Sequence, residues 1–323
     1  MNKAKAIIKR NMIFVILILL IILFGIWSPN FLTFKNLMNI CTQNAYLLLA
    51  TIGMGLVMIS GGTDLSIGYL MSVVVVCTAA LMEWVGLPIW LAIILGLVIG
   101  CVLGAVNGFA ANLLNIHPMI VTLATMTVFQ GISYLISGSQ SIYNLKDGFK
   151  FLGQGYLGPI SVPVLLAIVV CIIVHFVLKK TYFGRYIYAV GGNPEASRLA
   201  GVNVKRIKLL VFVICGFLCA CAAIILTART GSANSSMGAT AMFNCITACV
   251  IGGVSFIGGE GDVKGMIVGV LILGVLSNGM QLVGMGIYVQ YVVKGIILLA
   301  AIGYDTYSKS VKVKKVASTK AAA

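Results

Sequence analysis

Ten stretches of this chain are each apolar over close to the length of helix that crosses a bilayer, and that leaves few folds open. A hydrocarbon core of roughly 30 Å takes about 20 helical residues at 1.5 Å each. Hydropathy places the runs at 12–27, 45–61, 66–85, 89–111, 118–137, 161–178, 208–228, 241–258, 265–283 and 287–304. Lipid offers no partner to a backbone N–H or C=O, so such runs must be helical. With 60% hydrophobic and 9% charged residues, the chain has too little charge to coat a soluble fold of 323 residues. The expectation is an all-α fold: a polytopic membrane helical bundle of about ten transmembrane helices. No shift in composition marks a second domain, so 1–323 reads as one transmembrane domain. Lys3, Lys5, Lys9 and Arg10 precede the first run as in a signal peptide, but Ile26 to Asn30 makes a poor cleavage site. That run is expected to stay as an uncleaved first helix.

A net charge of +15 suggests nucleic acid until the charges are placed. With ten spans and the N-terminus inside, seventeen of the 22 Lys and Arg fall in cytoplasmic segments, four fall outside, and Lys294 lies within the last span. This is the positive-inside pattern, with both termini cytoplasmic and no call for a nucleic-acid partner. The basic tail, about 305–323, can add attraction to anionic lipid. The nine cysteines lie in or beside apolar runs without C-x-x-C spacing, and His117 and His175 stand apart from any carboxylate cluster, so no metal or redox site is expected.

The cytoplasmic segment 179–208 is a polar island in this apolar sequence, and within it Asn193 to Gly201 spells out one short helix. Asn193 suits the N-cap, Pro194 the first helical position, Glu195 the positive end of the helix dipole, and Gly201 a left-handed stop. A rod of roughly 10 Å spans nothing, but it can be a rigid knob presented to another protein. Outside, the segment 138–160 is the candidate docking surface, with a plain solvated loop the alternative.

Polar groups inside the spans are mostly amides and hydroxyls. Thr63, Asp64, Ser66, Asn107, Asn244 and Asn278 are the candidate translocation-pathway residues, and a lining with almost no fixed charge suits a neutral polyol better than an ion. Asp64 has two readings: a hinge or constriction on the route, or the cap of the helix that follows. Gly96, Gly100, Gly104 and Gly108 make a stripe for close helix packing. Gly61 to Gly68 is echoed by Gly252 to Gly259, and Asn107-Gly108 by Asn278-Gly279, as in transporters built from repeats. The chain has no G-x-x-x-x-G-K-[ST] loop to hold a nucleotide, so a motor, if there is one, is a separate subunit.

The run Gly184 to Val204 resembles the cytoplasmic loop of the ribose/xylose/galactose permeases of ABC importers. Within it, Glu195-Ala196-Ser197-x-x-x-Gly201 is similar to the E-A-A-x-x-x-G loop that importer permeases offer to their ATPases. Ser28 to Phe31, Gly61 to Gly68, Pro118 to Leu123 and Ile251 to Gly261 resemble further family motifs, so the likeness covers nearly the whole chain. It implies a permease dimer, formed with a second copy or a paralogue, carrying a monosaccharide delivered by an extracytoplasmic binding protein across a bacterial cytoplasmic membrane. It also implies an ABC ATPase subunit that binds ATP, so that this chain holds no cofactor of its own and is not an enzyme. Asn193, Pro194, Glu195, Ala196, Arg198 and Gly201 would be the ATPase-coupling residues, with Glu195, Ala196 and Gly201 in an ATPase groove and Arg198 facing an acidic rim. The chain departs from the family at Met242 to Ala248, where relatives usually carry a Glu-Leu-Asp run and both acids are missing here. An ion-coupled secondary transporter or channel for a small neutral solute is the alternative reading.

Overall fold

A computed structural model describes residues 12–303. The N-terminal Lys3, Lys5, Lys9 and Arg10 and the basic tail 305–323 lie outside the described residues. In chain order the helices are α1 (Met12–Trp27), α2 (Phe34–Ile59), α3 (Ile67–Glu83), α4 (Ile89–Leu114), α5 (Pro118–Ser137) and α6 (Asp147–Gln154). There follow α7 (Val162–Lys180), α8 (Tyr182–Gly192), α9 (Pro194–Leu199), α10 (Val204–Thr230), α11 (Ala241–Ile251) and α12 (Val263–Leu282), and then α13 (Ile287–Gly303). The structure is 77% helical. Its one small sheet among the described residues is a hairpin of β1 (Tyr156–Leu157) and β2 (Ile160–Ser161), pairing Tyr156 with Ser161 and Leu157 with Ile160.

Six helices, α2, α4, α5, α7, α10 and α12, are long and apolar enough to cross a membrane, while α1, α3, α11 and α13 are apolar but shorter. Every apolar run in the sequence is therefore helical, but several ends move. The second begins at Phe34 rather than 45, because Thr33 accepts a hydrogen bond from the Asn36 N–H and starts the helix among polar residues. The eighth stops at Ile251 rather than 258, where Gly252 and Gly253 end it.

At the centre stand α2, α10 and α12, 67%, 67% and 78% buried over their most apolar windows, against 22% for α4 and α5. The difference separates a core from a shell that faces lipid: Val98, Val102, Val106 and Phe109 on α4 are exposed while its glycine face is buried. That face meets α10 directly. A methyl at Gly104 would overlap the Phe212 carbonyl oxygen, and one at Gly108 would stand 3.0 Å from the Phe212 Cβ. Helices in lipid gain little from hydrophobic exclusion, so close backbone approach is what holds this pair. A smaller cluster of Phe24, Phe31, Ile40, Val275, Leu276 and Met280 fastens α1 to α2 and α12.

Segment 138–161 is packed rather than loose. Ile142 bridges to Ala233, Phe149 is fully buried, and the Gln154 side-chain amide donates to the Arg229 carbonyl at 2.9 Å. It thus covers the end of α10, away from the α2–α3 turn. Of the internal echo, α2 and α11 both end in a Schellman turn with a left-handed glycine, Gly61 (φ 83°) and Gly253 (φ 80°), one residue out of the register of the echo, which sets Gly61 against Gly252. The second pair of the echo shares no setting, because Asn107 faces the 61–66 turn while Asn278 lies beside Asn36.

Gly104→Leu is expected to destabilise the protein by about 1–3 kcal/mol or more through overpacking between α4 and α10. Gly131→Leu, at a position with open space around it, is the control. Thermal unfolding in detergent followed by size-exclusion fluorescence measures both.

Candidate functional site

The polar island folds as three helices in sequence. Lys179 and Lys180 close α7 at its negative dipole end. Thr181 caps α8 by accepting from the Gly184 N–H at 3.1 Å, and α8 buries Gly184, Ile187 and Val190 against the bundle. The Arg185 guanidinium lies 4.3 Å from the centroid of the Tyr182 ring.

Six residues then make α9. The Asn193 side chain accepts from the Ala196 N–H at 2.9 Å, Pro194 opens the helix, and the Ser197 hydroxyl donates to the Asn193 carbonyl at 2.8 Å. The helix ends in a Schellman turn: Gly201 N–H to Arg198 O and Val202 N–H to Ser197 O, both 3.0 Å, with Gly201 at φ 84°. Both ends are closed by the residues the sequence nominates. Arg198 pairs with Glu195 of its own helix at 2.9 Å, and both side chains are exposed. Such a pair is worth well under 1 kcal/mol and opens readily to a partner. Leu199 at the tip is 85% exposed, and on α9 only Ser197 is buried.

Two grooves flank this knob. One of about 530 Å³ runs between α9 and the α4–α5 turn, lined by Asn112, Asn115, His117, Glu195, Arg198 and Lys208 among others. The other, about 340 Å³, lies between α8 and the start of α10, against Phe183, Tyr186, Val202 and Ile207. The knob is tied to its setting where the Asn112 amide donates to the Lys205 carbonyl at 2.7 Å.

Of the pathway candidates, Thr63, Asp64, Ser66 and Asn107 form one buried polar cluster in the turn between α2 and α3. Asp64 is not the cap of α3. The N-cap is Ser66, whose side chain makes no capping bond, while Asp64 Oδ1 accepts from both the Ser66 N–H (2.9 Å) and its hydroxyl (2.6 Å). The result is an Asx turn that reverses the chain two residues before the helix. The Asn107 amide reaches across from α4 to Ser66 Oγ (2.7 Å) and Asp64 Oδ2 (3.3 Å), and Thr125 donates to Asn107 Oδ1 at 2.7 Å. Thr122 holds the same turn, accepting from the Leu65 N–H and donating to the Thr63 carbonyl. A fully buried carboxylate is costly unless its oxygens are met by donors, and here three neutral donors meet them. Asn244 and Asn278 lie elsewhere. Asn278 exchanges two hydrogen bonds with Asn36, at 2.9 and 3.0 Å, and Asn244 is half-buried in the first turn of α11. Sequence reasoning missed Thr122, Thr125 and Asn36. The first lies inside the Pro118 to Leu123 motif, which was the available signal.

Comparison with known proteins bears directly on this geometry. The family described as "Branched-chain amino acid transport system / permease component" matches residues 36–302. The ribose import permease of Bacillus subtilis is 40% identical over 291 residues, covering 90% of this chain and 90% of its own. The chain belongs to the family of ABC-importer permeases. The L-arabinose permease of Escherichia coli is 38% identical to this permease, covering 92% and 90% of the two chains. The galactose/methyl galactoside import permease of the same organism is 34% identical, covering 93% and 94%. No solved structure matches the permease. It is a multi-pass membrane protein and a transport subunit, with its knob in the segment that resembles the ATPase-facing loop.

Asp64→Leu leaves the Ser66 N–H and part of the Asn107 amide without an acceptor, about 1–3 kcal/mol for each stranded group. Membrane abundance and uptake are expected to fall together, and to fall less for Asp64→Asn, which keeps Oδ1. Abundance at the wild-type level with uptake lost would put the carboxylate on the route instead.

Proposed function

We propose that this permease forms the translocation route for a monosaccharide, a ribose-like pentose or related sugar, delivered by an extracytoplasmic binding protein and driven by a separate ABC ATPase. The family description names branched-chain amino acids, whereas the relatives aligned over nine-tenths of their length are ribose, arabinose and galactose permeases. The fuller alignment favours sugar. A route lined by amides and hydroxyls agrees with a neutral polyol.

The observation that carries the reading is the α9 knob, capped at both ends, exposed on nearly every side and grooved on both flanks. An ATPase that closes on ATP pushes on a rigid body and not on a loop. Glu195, Ala196 and Gly201 enter the ATPase groove, and Arg198 exchanges its pairing with Glu195 for an acidic rim. ATP itself is held by the ATPase, and this chain needs no cofactor.

Ten spans with cytoplasmic termini follow if α1, α3, α11 and α13 complete the six longer helices. At 11 residues α11 covers roughly 16 Å, short of a full crossing. The segment 231–240 before it supplies the rest as irregular backbone buried in protein, with Ala233 and Ser235 shielded and Ser72 Oγ accepting from the Gly238 N–H. With the N-terminus inside, as the basic residues favour, α9 lies in the bacterial cytoplasm and segment 138–160 outside, where the binding protein docks. The permease works as one domain over 1–323, paired with a second copy or a paralogue. Thr63, Asp64, Ser66 and Asn107 shape the inner end of the route through the turn they hold, and Asn244 and Asn278 lie farther along it.

Glu195→Lys and Gly201→Pro are expected to abolish sugar uptake and ATPase co-purification while the permease stays in the membrane at its normal level. Normal uptake by both variants would remove the coupling role. Sugar flux through the chain alone in liposomes, with no ATPase added, would favour a secondary transporter or channel.

A further inference from the structure

Three backbone segments meet beneath α2 with no side chain between them. The last helical carbonyl of α2, at Ile59, accepts from the Gly259 N–H at 2.9 Å. Gly191, near the end of α8, lies so close that a methyl there would overlap the Ile59 oxygen and stand 2.7 Å from the Gly259 nitrogen. A methyl on Gly258 (φ 111°) would stand 2.8 Å from both the Gly191 oxygen and the Gly61 Cα. One on Gly259 would lie 2.9 Å from the Gly192 Cα. Segments 59–62, 191–192 and 258–259 are therefore in direct contact. The first is the Schellman turn that ends α2, and the third follows four residues after the one that ends α11.

Tyr188 closes the joint. Three residues before Gly191 on the same helix, its phenol donates to the Gly261 carbonyl at 2.7 Å. Burial, together with the nearby Asp262 carboxylate, raises its pKa above the ordinary phenol value, so it stays a donor. The contact matters because of where α8 leads: Gly192 directly precedes Asn193, the N-cap of α9.

We propose that this glycine joint, clamped by Tyr188, carries displacement of α9 into the bundle, moving the Gly61–Ser66 turn and the 252–262 segment together. Side chains can absorb a small shift by changing rotamer, and bare backbone in contact cannot. The end of α8 that joins α9 is the end that bears on both segments, so a push on α9 reaches them across Asn193 alone. One of those segments holds Asp64 and the other leads through Asp262 into α12. Tyr188 is a positioning residue in this scheme and touches no sugar. The proposal rests on the reading of α9 as the ATPase-facing knob.

Tyr188→Phe keeps the ring and removes the one hydrogen bond. The test uses the full chain co-expressed with its ATPase and binding protein. It is reconstituted and supplied with whichever of ribose, arabinose, galactose or allose the wild-type importer takes up. ATPase co-purification and thermal stability are expected to stay at wild-type values, while sugar moved per ATP hydrolysed falls about fivefold, the factor carried by one neutral hydrogen bond. Tyr182→Phe, exposed at the start of the same helix and outside both grooves, keeps the ring beneath Arg185 and is expected to be neutral. A wild-type sugar-to-ATP ratio in Tyr188→Phe would overturn the joint. So would loss of ATPase capture or of stability in step with uptake, which would make Tyr188 a docking or packing residue. Failure of the underlying knob reading has a different signature: Glu195→Lys would import normally.

Discussion

Every backbone amide and carbonyl in this protein must find a partner without help from water over most of its depth, and the architecture follows from that demand. Long helices meet it internally. The informative places are those where the helix stops at depth. The 61–66 turn is held by Thr122, Asn107 and Asp64, segment 231–240 by Ser72, Ser133 and Ile142, and the end of α2 by Gly259. In each case some of the freed groups are met from a distant part of the chain, so each break also joins elements far apart in sequence.

Glycine serves two separate ends in the same fold. Along α4 it lets α10 approach until backbones touch, which is packing. At residues 61, 191 and 258 it brings three segments together where the chain leaves for the knob. The stripe at four-residue spacing was visible in the sequence because one helix carries it. The joint was not, since its members are separated by more than sixty residues at each step.

The same distinction governs what else was legible. The α9 knob could be read because its caps, Asn193 and Gly201, are local to it. The ten apolar runs could be read because lipid enforces them. Helix ends were less legible where polar residues continue a helix, as Asn36, Asn39 and Gln43 do in α2, or where glycine cuts short an apolar run, as in α11. Asp64 was correctly singled out as costly, but its partner Asn107 lies 43 residues on, and nothing in the pattern connects them. What sequence placed on one pathway, the structure divides between the Asp64 cluster, the Asn36–Asn278 pair and α11.

That amide pair deserves to be set beside the Ile59–Gly259 bond. Asn36 and Asn278 exchange two hydrogen bonds near one end of α2, and Gly259 takes the last carbonyl at the other end. Both tethers run to the same stretch of chain, the 252–282 arm. A beam bolted twice to its neighbour neither slides along it nor swivels against it. The two helices therefore form one post, and a push that reaches the 59–62 and 258–259 contact from below displaces α2 and α12 together rather than one against the other.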